Sequence, residues 1–346
     1  MPWYVDITAR VGAMLIFLIL TVLALVWLER KFAGRIQMRL GPMRTGYQGL
    51  LQSLADAVKL LLKEDLRPAN ADRWAFQMAP FVVFVPIFLI FVTIPFSREL
   101  VIRNLDMGLF YIIAVSGLSI VGIVMAGWGS DNKYALLGAV RSAAQMISYE
   151  LPLVLALLGI AMQASSLNLV TIVEQQRFLP NLFMQPLGFT LFMVAALAEL
   201  HRSPFDIPVA ESEVVGGPFI EYSGIRWGIF YLSEYVNLVA VAALASLVFL
   251  GGWEWPLLPP AAWFLVKTFA LIMVIMWVRA TLPRLRIDQL MDFAWKILLP
   301  LAFVNIFIVG LYRLYQWPTW TVSLISLAMA IVAAATVYHF PGGERR

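Results

Sequence analysis

Runs of about 20 predominantly apolar residues recur along the whole chain. A helix rises 1.5 Å per residue, so about 20 residues cross a hydrocarbon core of about 30 Å. Charged residues make up 13% of the chain, whereas a soluble domain has about 25%. The runs lie at about 11–29, 76–95, 109–128, 139–162, 186–200, 228–252, 261–282, 297–315 and 320–339. We therefore predict an all-α polytopic membrane protein, with residues 1–346 as one membrane domain.

Basic residues are unevenly divided between alternate connections. Nineteen of the 25 Lys and Arg residues fall on one set of connections or at the C-terminus, and five fall on the other set. Cytoplasmic loops carry the excess of Lys and Arg. This predicts an outside N-terminus, and a cytoplasmic C-terminus and 201–227 loop. The first run is long enough to span and lacks a small-residue cleavage site, so we predict no cleaved signal peptide.

Several classes of site are excluded by residue type. The chain has no Cys and two His, which argues against disulfides, iron–sulfur clusters, haem and zinc. It has neither a glycine-rich nucleotide motif nor a readable Ser–His–Asp set. Because the basic residues follow the membrane sides, the net charge of +4 does not indicate nucleic-acid binding. We expect no metal, flavin or iron–sulfur cluster in this chain.

The first inner connection contains an amphipathic segment at about 50–63. Leu51, Leu54 and Val58 fall on one helical face, with Asp56 and Lys59 on the other. This spacing predicts a helix at the membrane surface or against a soluble partner, and the two are compatible.

Carboxylates crowd the segment between the fifth and sixth runs. Its titratable residues include His201, Arg202, Asp206, Glu211, Glu213, Glu221 and Arg226, flanked by Glu199 and Glu234. A carboxylate in hydrocarbon costs about 2.5–3.5 kcal/mol and usually marks an ion or proton path. A solvated loop with one helix-capping acid is the alternative. The position of Glu234, inside the sixth run, argues against it.

Glu150 is the acid placed deepest in an apolar run. It lies about 13 Å from the cytoplasmic end at 1.5 Å per residue, and Pro152 frees a backbone carbonyl nearby. We predict a proton relay at Glu150 and Glu234, with structural pairing to an Arg from another helix as the alternative. Arg141 would lie about 13 Å from Glu150 on the same helix, and Lys267 is the other cation deep in a run. For Glu29 and Glu199, at the ends of runs, both alternatives stay open.

Seven motifs in order over about residues 1–315 resemble one family, the membrane-embedded H subunit of respiratory complex I, called subunit 1 in mitochondria. The motifs are ERKFAGRIQMRLGP from Glu29, GLLQSLADAVKLLLKED from Gly49, RSAAQMISYELPL from Arg141, AELHRSPFD from Ala198, EYSG from Glu221, SEY from Ser233 and WVRATLPRLRIDQLM from Trp277.

The resemblance implies an eight-helix core, an amphipathic surface helix and a place in the cytoplasmic membrane of a bacterium. The ninth run lies beyond this core. The family joins the hydrophilic arm of the complex to the proton-pumping membrane arm. With two hydrophilic-arm subunits it encloses a chamber for quinone, which is the bound substrate. The implied partners are these subunits, the adjacent membrane-arm subunits and the lipid bilayer.

The resemblance also assigns residues to two roles. The residues implied to line or support the quinone chamber are Glu29, Arg30, Arg39, Asp56, Lys59, Arg279, Arg284 and Asp288. Those implied to form a buried acidic chain are Glu150, Glu199, Glu234, Asp206, Glu211, Glu213 and Glu221. The first of three family acids after Pro-Phe-Asp falls on Val209, so the loop has one charge fewer.

Two other functions remain open at this stage. A membrane subunit of a related membrane-bound hydrogenase or formate hydrogenlyase would use the same scaffold without quinone. A stand-alone proton-coupled transporter would show inverted repeats with paired broken helices, and the sequence shows none.

Overall fold

The computed structural model describes residues 3–254 and 258–339, which fold into helices with no β-strand among them. The α-helices are α1 (Trp3–Ile36), α2 (Gln52–Leu62), α3 (Arg73–Ile90), α4 (Gly108–Ser116), α5 (Leu118–Gly129), α6 (Lys133–Ala164), α7 (Leu169–Gln175), α8 (Asn181–Met184), α9 (Pro186–Glu199), α10 (Glu211–Val214), α11 (Gly224–Phe249), α12 (Pro260–Thr281), α13 (Ile287–Phe293), α14 (Leu299–Tyr315) and α15 (Thr319–His339).

Seven helical segments of the described residues are long and apolar enough to cross a membrane. They are Ile7–Ile36, Arg73–Ile90, Gly108–Gly129, Lys133–Ala164, Gly224–Phe249, Pro260–Thr281 and Ile287–Tyr315. The prediction of an all-α polytopic membrane protein is confirmed. The fifth predicted run forms the shorter α9, and the apolar part of the ninth, Trp320–Val332, is also shorter.

Three of the segments depart from the predicted runs. α1 continues to Ile36, beyond the apolar run that ends near residue 29. The third segment is divided at Gly117 into α4 and α5. The last long segment contains a π-helical turn at Ala294–Leu298, between α13 and α14. The extension of α1 keeps Glu29 in a helix that meets other elements, and the division at Gly117 faces Glu150.

α11 is the central helix of the bundle. Its most apolar stretch is 83% buried, against 22% for α1. α3, α9 and α12 contact it, and α6 packs across α5, α9 and α14. α11 therefore meets elements from the beginning, the middle and the later part of the chain, including α1, α2, α7 and α8.

The amphipathic helix forms at α2, inside the predicted 50–63 interval. Leu54 and Val58 on its apolar face are exposed. The segment after α2 is tied to the start of α11, where Arg226 Nε lies 2.9 Å from Asp65 Oδ2 and Ser223 Oγ accepts the Leu66 N–H at 3.2 Å. These contacts hold the end of α2 beside α11.

α15 packs against α8, α9 and α14. The hydroxyl oxygen of Ser326, which is 1% exposed, accepts the backbone N–H of Leu187 at 3.0 Å. Leu187 lies in the first turn of α9, where N–H groups lack intrahelical acceptors. α15 thus covers the beginning of the short helix α9.

Candidate functional site

A cavity of about 820 Å³ lies among α3, α5, α6, α11 and the segment that joins α9 to α11. Its titratable lining residues are Glu199, His201, Asp206, Tyr222, Tyr231, Glu234, Arg279 and Arg284. The Glu234 side chain is 41% exposed although it lies inside the bundle, because it faces this cavity. The cavity therefore gathers acidic and basic side chains from α9, α11, α12 and the segments that follow α9 and α12.

A buried ion cluster lies beside the cavity. Nη1 of Arg202 donates to both carboxylate oxygens of Glu29, at 2.9 and 2.8 Å. Arg279 also donates to Glu29 Oε1. Nη2 of Arg202 lies 3.2 Å from Glu234 Oε1, an ion-pair distance, without hydrogen-bond geometry. One guanidinium thus connects α1 to α11.

The Arg202 side chain is only 1% exposed, although it is charged and lies in a connection. Local contacts explain its burial. Gln145 Nε2 donates to the carbonyl oxygens of Ala198 and Phe205, at 2.8 and 2.9 Å. The Leu285 N–H donates to Pro204 O at 3.1 Å. These bonds hold the turn around Arg202 against α6 and the segment after α12. The guanidinium lies 4.7 Å from the ring centroid of Tyr235.

Glu199 lies where two cavities meet. It ends α9 and, like Asn237, lines both the large cavity and a smaller one of about 30 Å³. The smaller cavity continues toward Ser116 on α4 and Leu153 on α6. Glu199 and Glu234 thus belong to one continuous region.

Glu150 faces the break between α4 and α5. A Cβ on Gly117 would lie 3.0 Å from Glu150 Oε1, so the glycine leaves room for the carboxylate. Within the described residues no cation pairs with Glu150. Arg141 pairs with Glu213 at 2.9 Å, and Lys267 Nζ donates to the carbonyl oxygens of Leu250 and Glu254. Neither cation that the sequence offered for structural pairing contacts Glu150, whereas Glu234 does pair with an arginine.

The other acids of the connection have separate partners. Asp206 Oδ2 lies 3.2 Å from Arg284 Nη2; burial raises the pKa of Asp206, and the nearby guanidinium opposes that rise. Glu221 Oε1 accepts from Asn132 Nδ2 at 2.6 Å. Glu213, paired with Arg141, is largely exposed. The side chain of Glu211 lies outside the described residues. Of these acids, Asp206 is the one the structure places on the cavity.

The residues implied for the quinone chamber divide into three groups. Arg30 Nη1 and Asp56 Oδ2 pair at 2.5 Å between α1 and α2. Partial burial would raise the pKa of Asp56, but hydrogen bonds from Arg30 and Gln52 leave it lowered. Arg279 and Arg284 line the cavity, while Glu29 lies beside it. The remaining three, Arg39, Lys59 and Asp288, are exposed.

Sequence reasoning missed several side chains of the site. Trp227 and Tyr231 stack with ring centroids 5.1 Å apart, and Tyr231 and Tyr235 follow at 5.0 Å. Their spacing of four residues in α11 was the available signal. His201, also missed as a site residue, has Nε2 2.8 Å from Ser142 Oγ, and burial lowers its pKa to about 4.

Comparisons with known proteins agree on one family. A family model described as NADH dehydrogenase matches residues 9–310. The H subunit of the NADH-quinone oxidoreductase of Dehalococcoides mccartyi (strain CBDB1) is 50% identical over 316 residues, 91% of this chain and 89% of the relative. The relative named as H subunit 2 of the same enzyme in Syntrophobacter fumaroxidans is 46% identical, covering 90% and 97%. The H subunit of Geobacillus kaustophilus is 50% identical, covering 87% and 92%.

Proposed function

The chain belongs to the family of the NADH-quinone oxidoreductase H subunit, and from this membership we propose that it shapes part of a quinone chamber and couples quinone reduction to proton translocation. Electrons would come from partner subunits. Among the described residues, no group of three or more His, Asp or Glu side chains could hold a metal ion. Quinone is the substrate that the family relation supplies.

The buried ion cluster is the observation that carries this proposal. Glu29 lies two turns before the end of α1, next to Arg30, which pairs with Asp56, and Arg202 joins it to Glu234 on the cavity. Reduction of a quinone to a quinol consumes two electrons and two protons. A change of charge beside Glu29 or Arg279 would alter how strongly Arg202 stabilises the Glu234 carboxylate, because opposite charges favour the ionised form. The cluster thus provides an electrostatic connection from the reduced quinone to the cavity carboxylates.

The acids provide the second half of the mechanism. Asp206, Glu234 and Glu199 line one cavity, and the smaller cavity at Glu199 continues toward α6, the helix that carries Glu150. Each carboxylate can hold a proton and release it to a neighbour through intervening water. We assign the cavity acids and Glu150 to proton transfer, and Glu213 and Glu221 to fixing the connection against α6 through Arg141 and Asn132.

Val209 contributes an uncharged side chain to the cavity lining. It lines the cavity at the position where the resemblance leads one to expect an acid. In our proposal Asp206 and Glu234 therefore carry proton transfer at this end of the cavity, without a third carboxylate.

Two substitutions in the assembled complex test the two halves of the proposal separately. Asp56→Asn should raise the quinone KM or lower kcat, because it removes the carboxylate that fixes Arg30. Glu150→Gln should lower the number of protons moved per electron while the complex still assembles. Glu174→Gln is the control, since Glu174 pairs with Arg98 at an exposed site.

Both activities are measured in liposomes, as quinone reduction rate and as acidification. Unchanged quinone kinetics in Asp56→Asn would remove Asp56 from the quinone chamber. Loss of assembly in Glu150→Gln would make that acid structural, and unchanged proton translocation would end its assignment to the route.

A further inference from the structure

A chain of side-chain amides lies in the half of the bundle opposite the cavity. Gln185 Nε2 donates to Gln163 Oε1, and Gln163 Nε2 donates to Asn181 Oδ1 at 3.2 Å. Asn181 Nδ2 then donates to the carbonyl oxygen of Val248 at 2.8 Å. The chain links α6, the start of α9 and α8 to the end of α11, and each amide donates in the same direction.

Two buried amide atoms at the beginning of this chain have no protein partner. They are Gln185 Oε1, an acceptor, and Asn305 Nδ2, a donor. Both residues are 1% exposed. Gln185 Nε2 also lies 3.3 Å from the Gly159 carbonyl oxygen, and a carbonyl only accepts. The nitrogen of Gln185 must therefore face Gly159, which fixes where its oxygen points.

Both atoms approach the backbone of α6 and α9 closely at two glycines. A Cβ on Gly159 of α6 would lie 2.9 Å from Asn305 Nδ2 and 3.2 Å from Gln185 Oε1. A Cβ on Gly188 of α9 would lie 3.3 and 3.2 Å from the same atoms. The donor and the acceptor thus face one small volume between α6, α9 and α14, without bonding each other directly.

We propose that this volume binds one ordered water molecule, which accepts a hydrogen bond from Asn305 Nδ2 and donates one to Gln185 Oε1. A cation would meet the amide donor, and an anion would meet the carbonyl oxygen of Gln185. An apolar ligand would leave both atoms unsatisfied. A water molecule can both accept and donate here, and buried waters typically serve such otherwise unsatisfied groups.

The water extends the amide chain to α14. Hydrogen bonds then run from Asn305 through water, Gln185, Gln163 and Asn181 to Val248. Together with the Ser326–Leu187 bond from α15, they fix the beginning of α9, whose other end carries Glu199. This inference does not depend on the proposed function, since it concerns neutral groups away from the cavity.

The first test is a cryo-EM map of the wild-type assembled complex, at a resolution that shows ordered water. The expected result is a density peak about 2.7–3.2 Å from both Gln185 Oε1 and Asn305 Nδ2, the usual hydrogen-bond range. A map with no peak, in which the two amides bond directly, would overturn the proposal. This measurement needs no variant to fold.

Gly188→Ala provides the second test, with Gly310→Ala as its matched control. An alanine at 188 would occupy the volume, whereas a Cβ at Gly310 of α14 meets only Met162 Cε, at 3.9 Å. Gly188→Ala should lose the peak and lower the denaturation temperature of the complex by several degrees relative to Gly310→Ala. Equal denaturation temperatures in the two variants, with the peak retained, would contradict the site.

Discussion

At the scale of single residues, Arg202 has the strongest expected effect on stability. It is the largest fully buried side chain among the described residues, and its charge serves Glu29 and Glu234. Removing one partner of a buried ion pair costs about 3–5 kcal/mol, because the other charge is left unpaired. Arg202→Ala should therefore sharply reduce the thermal stability of the complex.

Arg141→Ala is the control for this prediction. Its pair with Glu213 is partly exposed, at 29% and 45% of the two side chains, and surface pairs contribute about 0–1 kcal/mol. The measurement is the thermal denaturation temperature of each variant complex, and Arg202→Ala should lower it more than Arg141→Ala. Equal losses would mean that the burial of Arg202 adds nothing to its pairing.

His201 predicts a pH dependence with a definite sign. Burial lowers its pKa from 6.5 to about 4, so between those values the unfolded chain binds more protons than the folded chain. Stability must then fall as the pH drops through that window, and rise as the pH increases. His201→Gln should weaken this slope between pH 4 and 6.5, measured as denaturation temperature against pH. An unchanged slope would show that His201 is not buried as a neutral base.

At the scale of elements, the close approach of α6 to the connection before α11 makes a sharp prediction. A Cβ on Gly138 would lie 2.5 Å from Gly217 Cα, a backbone atom that cannot move aside cheaply. Gly217 neighbours Gly216 and Phe219, which line the cavity. Gly138→Ala should displace this wall and impair both thermal stability and quinone turnover.

Gly12→Ala is the control, because a Cβ there meets nothing within 4 Å. Both variants gain the helix propensity of alanine, so the difference between them isolates the contact. If Gly138→Ala has the denaturation temperature and turnover of Gly12→Ala, the connection does not need this close approach.

Most helices were predictable from the sequence, because the length of an apolar run and the spacing of apolar residues largely determine where a helix forms. α2 falls within the predicted interval, and the fifth run is short as expected. The extension of α1 to Ile36 was not predictable from hydropathy. Backbone hydrogen bonds continue through Glu29 and Arg30, whose charges are matched by Arg202 and Asp56 from other elements. Likewise, Gly117 between α4 and α5 leaves room for the carboxylate of Glu150, which comes from another helix, α6.

The site was only partly predictable for a related reason. Acids in apolar runs stand out in a sequence, so Glu150, Glu199 and Glu234 were identifiable. Arg202 did not stand out, since an arginine in a polar connection normally faces water. Its burial depends on Glu29, 173 positions away, and Glu29 also meets Arg279, 250 positions away. No local pattern contains such pairings.

At the scale of the whole molecule, the family relation predicts what purifies with this chain. Mild solubilisation followed by a pull-down should recover flavin and iron–sulfur subunits together with inhibitor-sensitive NADH–quinone activity. Recovery of a nickel–iron hydrogenase partner without quinone reduction would instead favour the hydrogenase relatives that the sequence alone left open. A chain that purifies alone and moves protons in liposomes would support a transporter.

The contrast between the two halves of the bundle has an electrical consequence. The cavity is lined by charged side chains, whereas the amide chain at the other end of α9 consists of neutral groups in close contact, with Arg313 as a charged side chain beside it. A transmembrane voltage falls mainly across the less polarisable layer, where moving one elementary charge across the full field costs about 2.3 kcal/mol per 100 mV. Protons reaching Glu234 or Glu199 through the cavity would therefore cross little of the field. In the proposed mechanism, voltage should therefore slow quinone reduction through steps beyond these acids and leave their protonation nearly unaffected.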